Sequence, residues 1–459
     1  VNNTSSVGTY IYTADNNSSV TNTGSVGRYI LTQGNNSSVT NSGSVGSGAA
    51  GHGLFVRGTN STLTLLPGSV IEGTLAMTTN GTRTLNVGNG LSIANSFSAG
   101  GGYGVPTTIN TFGAPYAVSG NQVVVVDPTS LAMQDEVITD LTNNISNAVF
   151  QAIGAARTGA GPGPAGSQPM FLSSHDGVSG SPETALRYWG KAFGSRREQD
   201  GDSPSVDAEH WIIGTVSGVD AAISANTRAG GFLGGSTGEV DVAYDSQETE
   251  IDSFFGGLYV GSQMGSVTLD FAVMSGWADN ELERRVANNL VAGGIETATA
   301  DYDGYFIAPE VAVGVETGFG LVPSARLRYV NYQLDGYRES GAAGNFTVAD
   351  REIEILQGRF QIAAPIVTAG EDSAYTRIEP YAGVEFRSVL SGDNVDAVLL
   401  GQSLSFDPGG DDDVTSFFAG LTGSARIAGN IELFGNVEAN FEDEGSYRFG
   451  GNVGAKVTF

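Results

Sequence analysis

The sequence predicts an all-β protein in which a parallel β-helix fragment is followed by a pore-spanning helix and a twelve-stranded antiparallel transmembrane β-barrel. Three observations lead to this prediction. They are a short repeat near the start, one amphipathic helical stretch, and a long run of alternating polar and apolar residues up to Phe459. The composition agrees, because 67 Gly, 14 Pro and no Cys among 459 residues fit many short strands joined by turns.

The composition also excludes several classes of function. Net charge is −28, from 49 acidic and 21 basic residues, which argues against nucleic acid as a partner. The absence of Cys excludes disulfides, iron–sulfur clusters and thiolate zinc sites. No segment approaches the ~18 consecutive apolar residues of a transmembrane helix. Val1 lies inside a repeat without a signal peptide, so we expect a fragment with a secretion signal and more repeats upstream.

A repeat occupies the start of the chain. Residues 16–27 read NNSSVTNTGSVG and residues 35–46 read NNSSVTNSGSVG, so the period is 19 residues. A fixed period of this length indicates one coil of a parallel β-helix. A disordered polar tract is the alternative, but disorder does not require periodic Val. The side chains expected to stack inward are Val7, Val26, Val45, Tyr10, Ile11, Tyr29 and Ile30.

The repeat then loosens. We expect β-helical repeats over residues 1–62 and a capping segment over residues 63–126, because the terminal coils of solenoids are atypical. A helix is predicted over residues 127–154, with Asp127 as its N-cap and Pro128 at its first position. The helix is too polar to face lipid, so it would cross a membrane only inside a polar pore. Residues 155–184 are predicted to be a linker.

From residue 185 to residue 459 apolar and polar residues alternate. In residues 302–316, for example, Tyr305 and Ile307 share one face and Glu310 lies on the other. Strands that face lipid on one side and a polar lumen on the other have this pattern. A soluble β-sandwich also alternates, but aromatic residues near strand ends and the alternation of short turns with long loops favour a barrel. The long loops are expected at residues 195–207, 279–298, 335–350 and 391–411.

Two motifs complete the pattern. The junction between strand and helix reads GNQVVVVDPTSLAMQDEV (residues 120–137), and the chain ends in AKVTF (residues 455–459). With the repeats and the barrel, they resemble the monomeric autotransporters of Gram-negative bacteria, which belong to type V secretion. The resemblance covers most of the chain.

The resemblance implies a barrel in the outer membrane that exports its own N-terminal passenger to the cell surface and anchors it. Ala455, Val457 and Phe459 match the final-strand signal that the barrel assembly machinery reads. Residues 63–126 match the autochaperone segment, and the helix would stay in the pore. The implied partners are outer-membrane lipid, the assembly machinery, periplasmic chaperones and, for an adhesive passenger, host or cell-surface ligands.

Charged residues of the helix and the strands are candidates for pairing inside the pore. The helix carries Asp135, Glu136 and Asp140. Pairs between these acids and lumen arginines would plug the pore and fix the helix. The alternative is that the arginines pair from strand to strand. The lumen candidates are Arg326, Arg328, Arg359, Arg377 and Arg387.

No metal, cofactor or nucleophile site is expected. His52, His175 and His210 lie in different segments, which disfavours a three-histidine metal site. Residues 173–176 read SSHD, but catalytic triads are assembled in space rather than from neighbours in a linker. An acidic loop has ligands for Ca²⁺, although a solvated loop is the favoured interpretation. Its acids are Asp407, Asp411, Asp412 and Asp413.

The pair Asn143 and Asn144 is a candidate for self-cleavage. In some autotransporters the first of two helix asparagines attacks its own backbone carbonyl and forms a cyclic imide. Lumen carboxylates assist that reaction, and the candidates here are Glu310, Glu379 and Glu385. The context TNNISN differs from that of the subgroup, so the favoured expectation is a protein that is not an enzyme.

Two other functions compete with secretion. An outer-membrane porin with an N-terminal appendage would also contain a barrel, but it needs neither a plug helix nor upstream coils. A soluble β-solenoid adhesin or enzyme would lack the membrane part. The activity of the passenger cannot be predicted from these residues.

Overall fold

The repeats form coils of a β-solenoid in a computed structural model, which describes residues 1–48, 51–155, 186–369, 375–428 and 430–459. Residues one period apart pair in parallel, as Val20 does with Val39 and Val26 with Val45. The strands are β1 (Asn2–Asn3), β2 (Ser6–Val7), β3 (Tyr10–Thr13), β4 (Ser19–Asn22), β5 (Ser25–Val26), β6 (Tyr29–Thr32), β7 (Ser38–Asn41), β8 (Ser44–Val45), β9 (His52–Val56), β10 (Ser61–Leu65), β11 (Val70–Ile71), β12 (Thr74–Met77), β13 (Arg83–Val87), β14 (Ile93–Ser96), β15 (Thr108–Asn110), β16 (Tyr116–Ser119) and β17 (Gln122–Val125).

The inward stack of the solenoid is confirmed for its aliphatic residues and wrong for its tyrosines. Ile11 and Ile30 are buried, whereas Tyr10 is 50% exposed. Neighbouring residues of a strand point to opposite faces, so Tyr10 and Ile11 cannot both point inward. The rings of Tyr10 and Tyr29 instead stack on the outside, with centroids 5.2 Å apart.

An internal asparagine ladder joins the coils. Asn3 donates to Asn22, and Asn22 donates to Asn41, each over 2.7 Å. Asn41 donates in turn to the Ser69 hydroxyl over 2.6 Å. These side chains are buried, so their mutual hydrogen bonds remove the penalty that unpartnered amides would carry inside the solenoid.

The solenoid continues beyond the expected boundary at residue 62. Strand β10 crosses that boundary and pairs with β7 on one side and β13 on the other. The antiparallel strands β16, β17 and β14 then cover the end of the solenoid. Strand β14 also forms a parallel bridge to the barrel, between Ile93 and Ala287.

One helix, α1 (Thr129–Ala155), follows the solenoid. The carboxylate of Asp127 accepts a hydrogen bond from the Thr129 backbone N–H over 3.2 Å, and the Pro128 carbonyl accepts from Leu131. This is N-cap geometry with proline at the first helical position. Within the described ranges, no helix is both long and apolar enough to cross a membrane. The predicted linker at residues 155–184 lies, apart from Ala155, outside the described residues.

Twelve long strands form a closed antiparallel barrel, because the first strand pairs with the last. They are β18 (Leu186–Gln199), β19 (Ala208–Ser224), β20 (Thr227–Val242), β21 (Gln247–Met264), β22 (Val267–Ala287), β23 (Ile295–Val315), β24 (Val322–Leu334), β27 (Arg351–Ala363), β29 (Tyr375–Ser391), β32 (Asp413–Ala428), β33 (Ile431–Glu442) and β34 (Tyr447–Thr458). Shorter elements lie between them: a 3₁₀ turn (Ala243–Asp245), β25 (Tyr337–Arg338), β26 (Phe346–Val348), β28 (Ile366–Ala369), β30 (Val395–Leu399) and β31 (Gln402–Phe406).

The predicted long loops are partly wrong. Residues 279–287 continue β22, and residues 295–298 begin β23. A transmembrane strand needs only ~9–11 residues, so strands of 21 residues project beyond the bilayer. In the projecting part of β22 the outward side chains are charged instead of apolar, so that its composition resembles that of a loop. Two other predicted loops pair with each other as a small sheet of β25, β26, β30 and β31.

Candidate functional site

Helix α1 lies inside the barrel. Its apolar residues Leu141 and Ile145 are buried, and so are its polar residues Asp140 and Asn143. In the described part of the chain, three cavities between α1 and the barrel wall have volumes of about 10, 10 and 20 Å³. Each has room for about one water molecule. The helix therefore fills the lumen along the region that these cavities border.

Asp140 is the most heavily bonded acid of the helix. Its carboxylate lies 3.0 Å from Arg197 Nε, 3.2 Å from Arg448 Nη1 and 3.0 Å from His210 Nε2. All four side chains are buried. Charge-assisted hydrogen bonds of this kind are stronger than neutral ones, so the cluster fixes α1 against β18, β19 and β34.

Asp135 and Glu136 form a second cluster. Both contact Arg387 of β29, and the distance from Arg387 Nη1 to Asp135 is 2.6 Å. Glu136 also lies 3.1 Å from Arg197 Nη1. Arg197 therefore links the two clusters.

A third cluster surrounds Asn143. Arg328 of β24 donates to Asn143 Oδ1 over 2.8 Å and forms an ion pair with Glu310 of β23 at 3.1 Å. The neighbouring Arg326 donates to the side chains of Ser146 and Asn147, each over 3.0 Å. Both arginines therefore hold α1 by its amides and hydroxyls rather than by its acids.

The predicted pairing of lumen arginines with helix acids thus holds for Arg387 and fails for Arg326 and Arg328. It also fails for Arg359, which pairs with Glu385 and Glu438 from strand to strand at 3.1 and 2.5 Å. The reason is geometric, because Arg359 lies beside Asn147, which is seven residues or about 10 Å along the helix from Asp140, the nearest of the three acids.

The remaining candidate residues lie elsewhere on the wall. Arg377 pairs with Glu379 of the same strand at 2.5 Å. The Glu385 carboxylate accepts from Gln357 over 2.6 Å and from Arg359. Of the three carboxylates proposed to assist cleavage, only Glu310 contacts a side chain that bonds to Asn143. Asn144 donates to the Ser195 hydroxyl over 2.7 Å, whereas Asn143 Nδ2 is buried without a hydrogen-bond partner.

Three residues of the Asp140 cluster were missed from the sequence. Arg197 was assigned to a long loop, and the predictions gave His210 no role other than an unlikely metal ligand. Arg448 alternates with the apolar residues Tyr447 and Phe449 in the last strand, and this alternation was the available signal. Basic residues that face inward near the long-loop end of each strand could have been considered as partners of the helix acids.

Comparison with known proteins bears on this arrangement of a helix inside a barrel. The family model of the autotransporter β-domain matches residues 188–438, which is more than half of the chain. This chain belongs to the autotransporter β-domain family. The membership places its barrel in the outer membrane. A comparison with curated proteins finds no similar sequence.

Solved autotransporter structures have a similar fold. The translocator domain of the autotransporter NalP from Neisseria meningitidis is 17% identical, with a TM-score of 0.53 over 72% of this chain and 100% of that domain. The β domain of the Bordetella autotransporter BrkA is 15% identical, with a TM-score of 0.43 over 60% of this chain and 100% of that domain. At these identities the likeness to NalP supports the fold alone.

The autotransporter barrel also holds the solenoid at its rim. Asn289, in the turn after β22, bonds to the backbone of Ser96 twice: it accepts from the N–H and donates to the carbonyl, each over 2.8 Å. Gly293 donates to Glu72 over 2.9 Å in the same turn. Because Asn289 and Ser96 are buried, these bonds fix the end of the solenoid against the barrel.

The terminal strand closes the autotransporter barrel. The Phe459 backbone N–H donates to Leu186 over 3.1 Å, and its ring contacts the Tyr188 ring at 5.7 Å. Phe459 faces outward, and Ala455 and Val457 share that face by alternation, while Lys456 points inward to Glu432 at 2.6 Å. The strand pattern predicted from the sequence is confirmed here.

Other groups singled out in the sequence lie apart from the pore helix. His52, on the solenoid, bonds to the hydroxyls of Thr74 and Ser98, and burial together with Arg57 lowers the pKa of His52. His175 lies outside the described residues. The acidic loop before β32 approaches the turn after β33: burial, followed by hydrogen bonds with Asp411 and Glu442, raises the pKa of Glu444 to about 9.

Proposed function

We propose that this chain exports its own N-terminal passenger through the barrel and then anchors it at the cell surface. The observation that carries the proposal is that α1 runs through the lumen of the closed barrel and connects directly to the solenoid outside one rim. A chain that enters the pore and emerges as folded coils is the product expected of such export. The filled lumen disfavours the alternative of a diffusion porin.

Anchoring has a physical basis in the same region. The cluster around Asp140 holds α1 to the wall, and the Asn289–Ser96 bonds hold the solenoid to the rim. The first contact requires α1 in the lumen, and the second requires the end of the solenoid outside the rim. Both contacts therefore stabilise the exported state relative to the states that precede it during export.

The partners follow from this proposal. Outer-membrane lipid surrounds the exposed apolar belt, and the assembly machinery with periplasmic chaperones delivers the barrel. Ala455, Val457 and Phe459 would be the signal that the machinery reads. A passenger of polar coils would act as an adhesin for host or cell-surface ligands, and the region 63–126 would help it fold.

A labelling experiment tests export. The chain has no Cys, so a single introduced Cys reports on one position. Thr4→Cys lies on the exposed solenoid surface, and Phe319→Cys lies in a short turn at the opposite end of the barrel. With a secretion signal and intact Gram-negative cells, a membrane-impermeant maleimide should label Thr4→Cys. It should label Phe319→Cys only after the outer membrane is permeabilised. Equal labelling of both, or of Phe319→Cys alone, contradicts the proposal.

Conductance distinguishes secretion from diffusion. In planar bilayers the intact chain should remain mostly closed, and a variant lacking residues 129–155 should form an open pore. A large, constantly open channel in the intact chain would favour the porin.

A further inference from the structure

The solenoid differs from the rest of the chain in charge. Residues 1–126 contain three basic and two acidic residues, whereas the whole chain has a net charge of −28. Within the described residues no ion pair is formed by its basic residues, which are Arg28, Arg57 and Arg83. Of the two acids, Glu72 bonds to the barrel rim, and Asp15 lies two coils, or roughly 10 Å, from Arg57. The solenoid therefore presents cations that the fold leaves without an anion.

Aromatic rings hold one of these cations in place. The guanidinium carbon of Arg57 lies 5.1 Å from the centroid of the Phe55 ring and 5.6 Å from that of Tyr103. Arg57 Nε is buried without a hydrogen-bond partner. Cation–π contacts orient a guanidinium without using its N–H groups. The terminal N–H groups of Arg57 therefore remain available to an external acceptor.

Arg83 borders the same loop of the solenoid. Its Nε donates to the Val105 carbonyl over 2.7 Å, and a Cβ atom at Gly104 would lie 3.8 Å from its Nη2. Tyr103, which lies against Arg57, precedes these two residues in the loop. The two guanidinium groups thus flank residues 103–105. Each has the planar fork that matches the paired oxygens of a carboxylate or a similar oxyanion.

The surface around the two arginines is hydrophilic. The Thr107 hydroxyl accepts from the Arg83 backbone N–H over 2.9 Å, and the Thr79 hydroxyl donates to the Gly102 carbonyl over 3.3 Å. The exposed hydroxyl and amide side chains of this region are Asn60, Thr79, Asn80, Thr82 and Thr107. Among the described residues between 13 and 111, no large hydrophobic side chain is exposed.

This composition distinguishes between classes of partner. A protein partner usually needs apolar or aromatic anchors at the centre of the interface, and the region exposes none among its described residues. Segments that bind anionic membranes carry clusters of about 4–8 basic residues, and the solenoid has three. A ligand rich in hydroxyl groups that also carries oxyanions fits the surface better than either.

We propose that Arg57 and Arg83 bind the acidic groups of an extracellular polysaccharide, and that the surrounding hydroxyls and amides bond to its sugar hydroxyls. The inference rests on the proposed adhesive role of the exported solenoid and names the chemistry of its ligand. The attraction is electrostatic and lies at an exposed surface, so the affinity should fall as salt increases.

Binding of the purified full-length chain in detergent to immobilised polysaccharides tests the site. Surface plasmon resonance should detect binding to heparin, which carries sulfates and carboxylates, and no binding to neutral dextran. Hyaluronate, which carries carboxylates alone, should bind if carboxylates suffice and should not bind if sulfates are required. The double variant Arg57→Gln/Arg83→Gln should bind heparin at least tenfold more weakly. A matched control, Arg28→Gln/Arg338→Gln, removes the same charge from exposed positions and should stay within twofold of wild type.

The control separates a specific site from a general effect of net charge. Absence of binding to both acidic polysaccharides, equal binding to dextran, or equal weakening in the two double variants overturns the proposal. If the Arg57→Gln/Arg83→Gln protein fails to fold, Arg57→Gln alone removes no hydrogen bond within the described residues and must still weaken binding at least threefold. Labelling of Thr4→Cys on cells measures export independently. A chain that is labelled but binds neither acidic polysaccharide refutes the site alone, and a chain that binds but is not labelled refutes export alone.

Discussion

Replacement of Asp140 by Asn removes the central charge of the pore. The carboxylate accepts from Arg197 over 3.0 and 3.1 Å, from Arg448 over 3.2 Å, and lies 3.0 Å from His210 Nε2. Asn is nearly the same size, so the helix keeps its shape. The Asn side chain has one acceptor oxygen, and its NH₂ group places two hydrogen-bond donors next to basic side chains that are themselves donors.

The expected cost follows from burial. Asp140 is 0% exposed, and Arg197 and Arg448 are buried. Loss of one partner from a buried ion pair costs about 3–5 kcal/mol, because the remaining charge stays unpaired. If this cost falls on the seated helix alone, the ratio of unseated to seated helix rises by about 10² to 4 × 10³-fold, since each 1.4 kcal/mol is tenfold.

Single-channel recording measures the effect. The Asp140→Asn chain should open far more often than wild type, and Asp301→Asn, an exposed Asp of β23, should not. The double variant Asp140→Asn/Arg448→Gln should recover part of the loss, because it removes one stranded charge while Glu438, the other partner of Arg448, keeps its ion pair with Arg359. An open probability for Asp140→Asn within twofold of the Asp301→Asn value would refute the assigned role of the cluster.

Three further changes test other parts of the molecule. Deletion of Phe459 removes the Tyr188 ring contact and the hydrogen bond to Leu186. The amount of folded barrel in the outer membrane, measured as the heat-modifiable band on gels, should therefore fall severalfold. Normal insertion would contradict the assembly role. Asn289→Ala leaves the backbone N–H and carbonyl of Ser96 without their partner and should weaken the docking of the solenoid at the rim by about 1–3 kcal/mol. Amide exchange at residues 93–96 should become faster. The control Leu290→Ala, at an exposed neighbour, should leave it unchanged. Leu63→Ala, fully buried in the solenoid, should cost about 2–5 kcal/mol and increase proteolysis of the coils, with Thr64→Ala as the control; unchanged resistance would argue against a packed solenoid.

The sequence predicted elements whose period sets their faces. The 19-residue repeat required parallel coils, and alternation along residues 302–316 required Glu310 inside and Ile307 outside, as the structure has them. These faces can be predicted from local sequence because successive side chains of a strand point to opposite faces. A shift by one residue would move every apolar side chain to the wrong face. The prediction that Tyr10 and Ile11 both point inward was inconsistent with this alternation, since the two residues are neighbours in one strand.

Contacts between distant elements could not be predicted in the same way. Whether Asp140 meets Arg197 or Arg328 depends on the rotation and height of α1 within the barrel, and no local pattern encodes either quantity. The projecting part of β22 was mistaken for a loop because its outward Asp279 and Glu281 face water rather than lipid. These acids do alternate with Leu282 and Val286, which face inward. The prediction relied on the polarity of the segment and overlooked this alternation.

Self-cleavage between Asn143 and Asn144 depends on the position of the attacking nitrogen. Asn143 Nδ2 has no hydrogen-bond partner and is available, but Arg328 holds Oδ1 of the same amide and the residue lies within continuous helix. The carbonyl that would be attacked is engaged in the helical hydrogen-bond ladder, which disfavours the distorted geometry of a cyclic imide. We therefore expect full-length, cell-attached protein from both wild type and Asn143→Asp. Mass spectrometry of the culture medium decides the matter. A passenger released by wild type with Asn143 at its C-terminus, and retained in Asn143→Asp, would show that the free Nδ2 is a nucleophile.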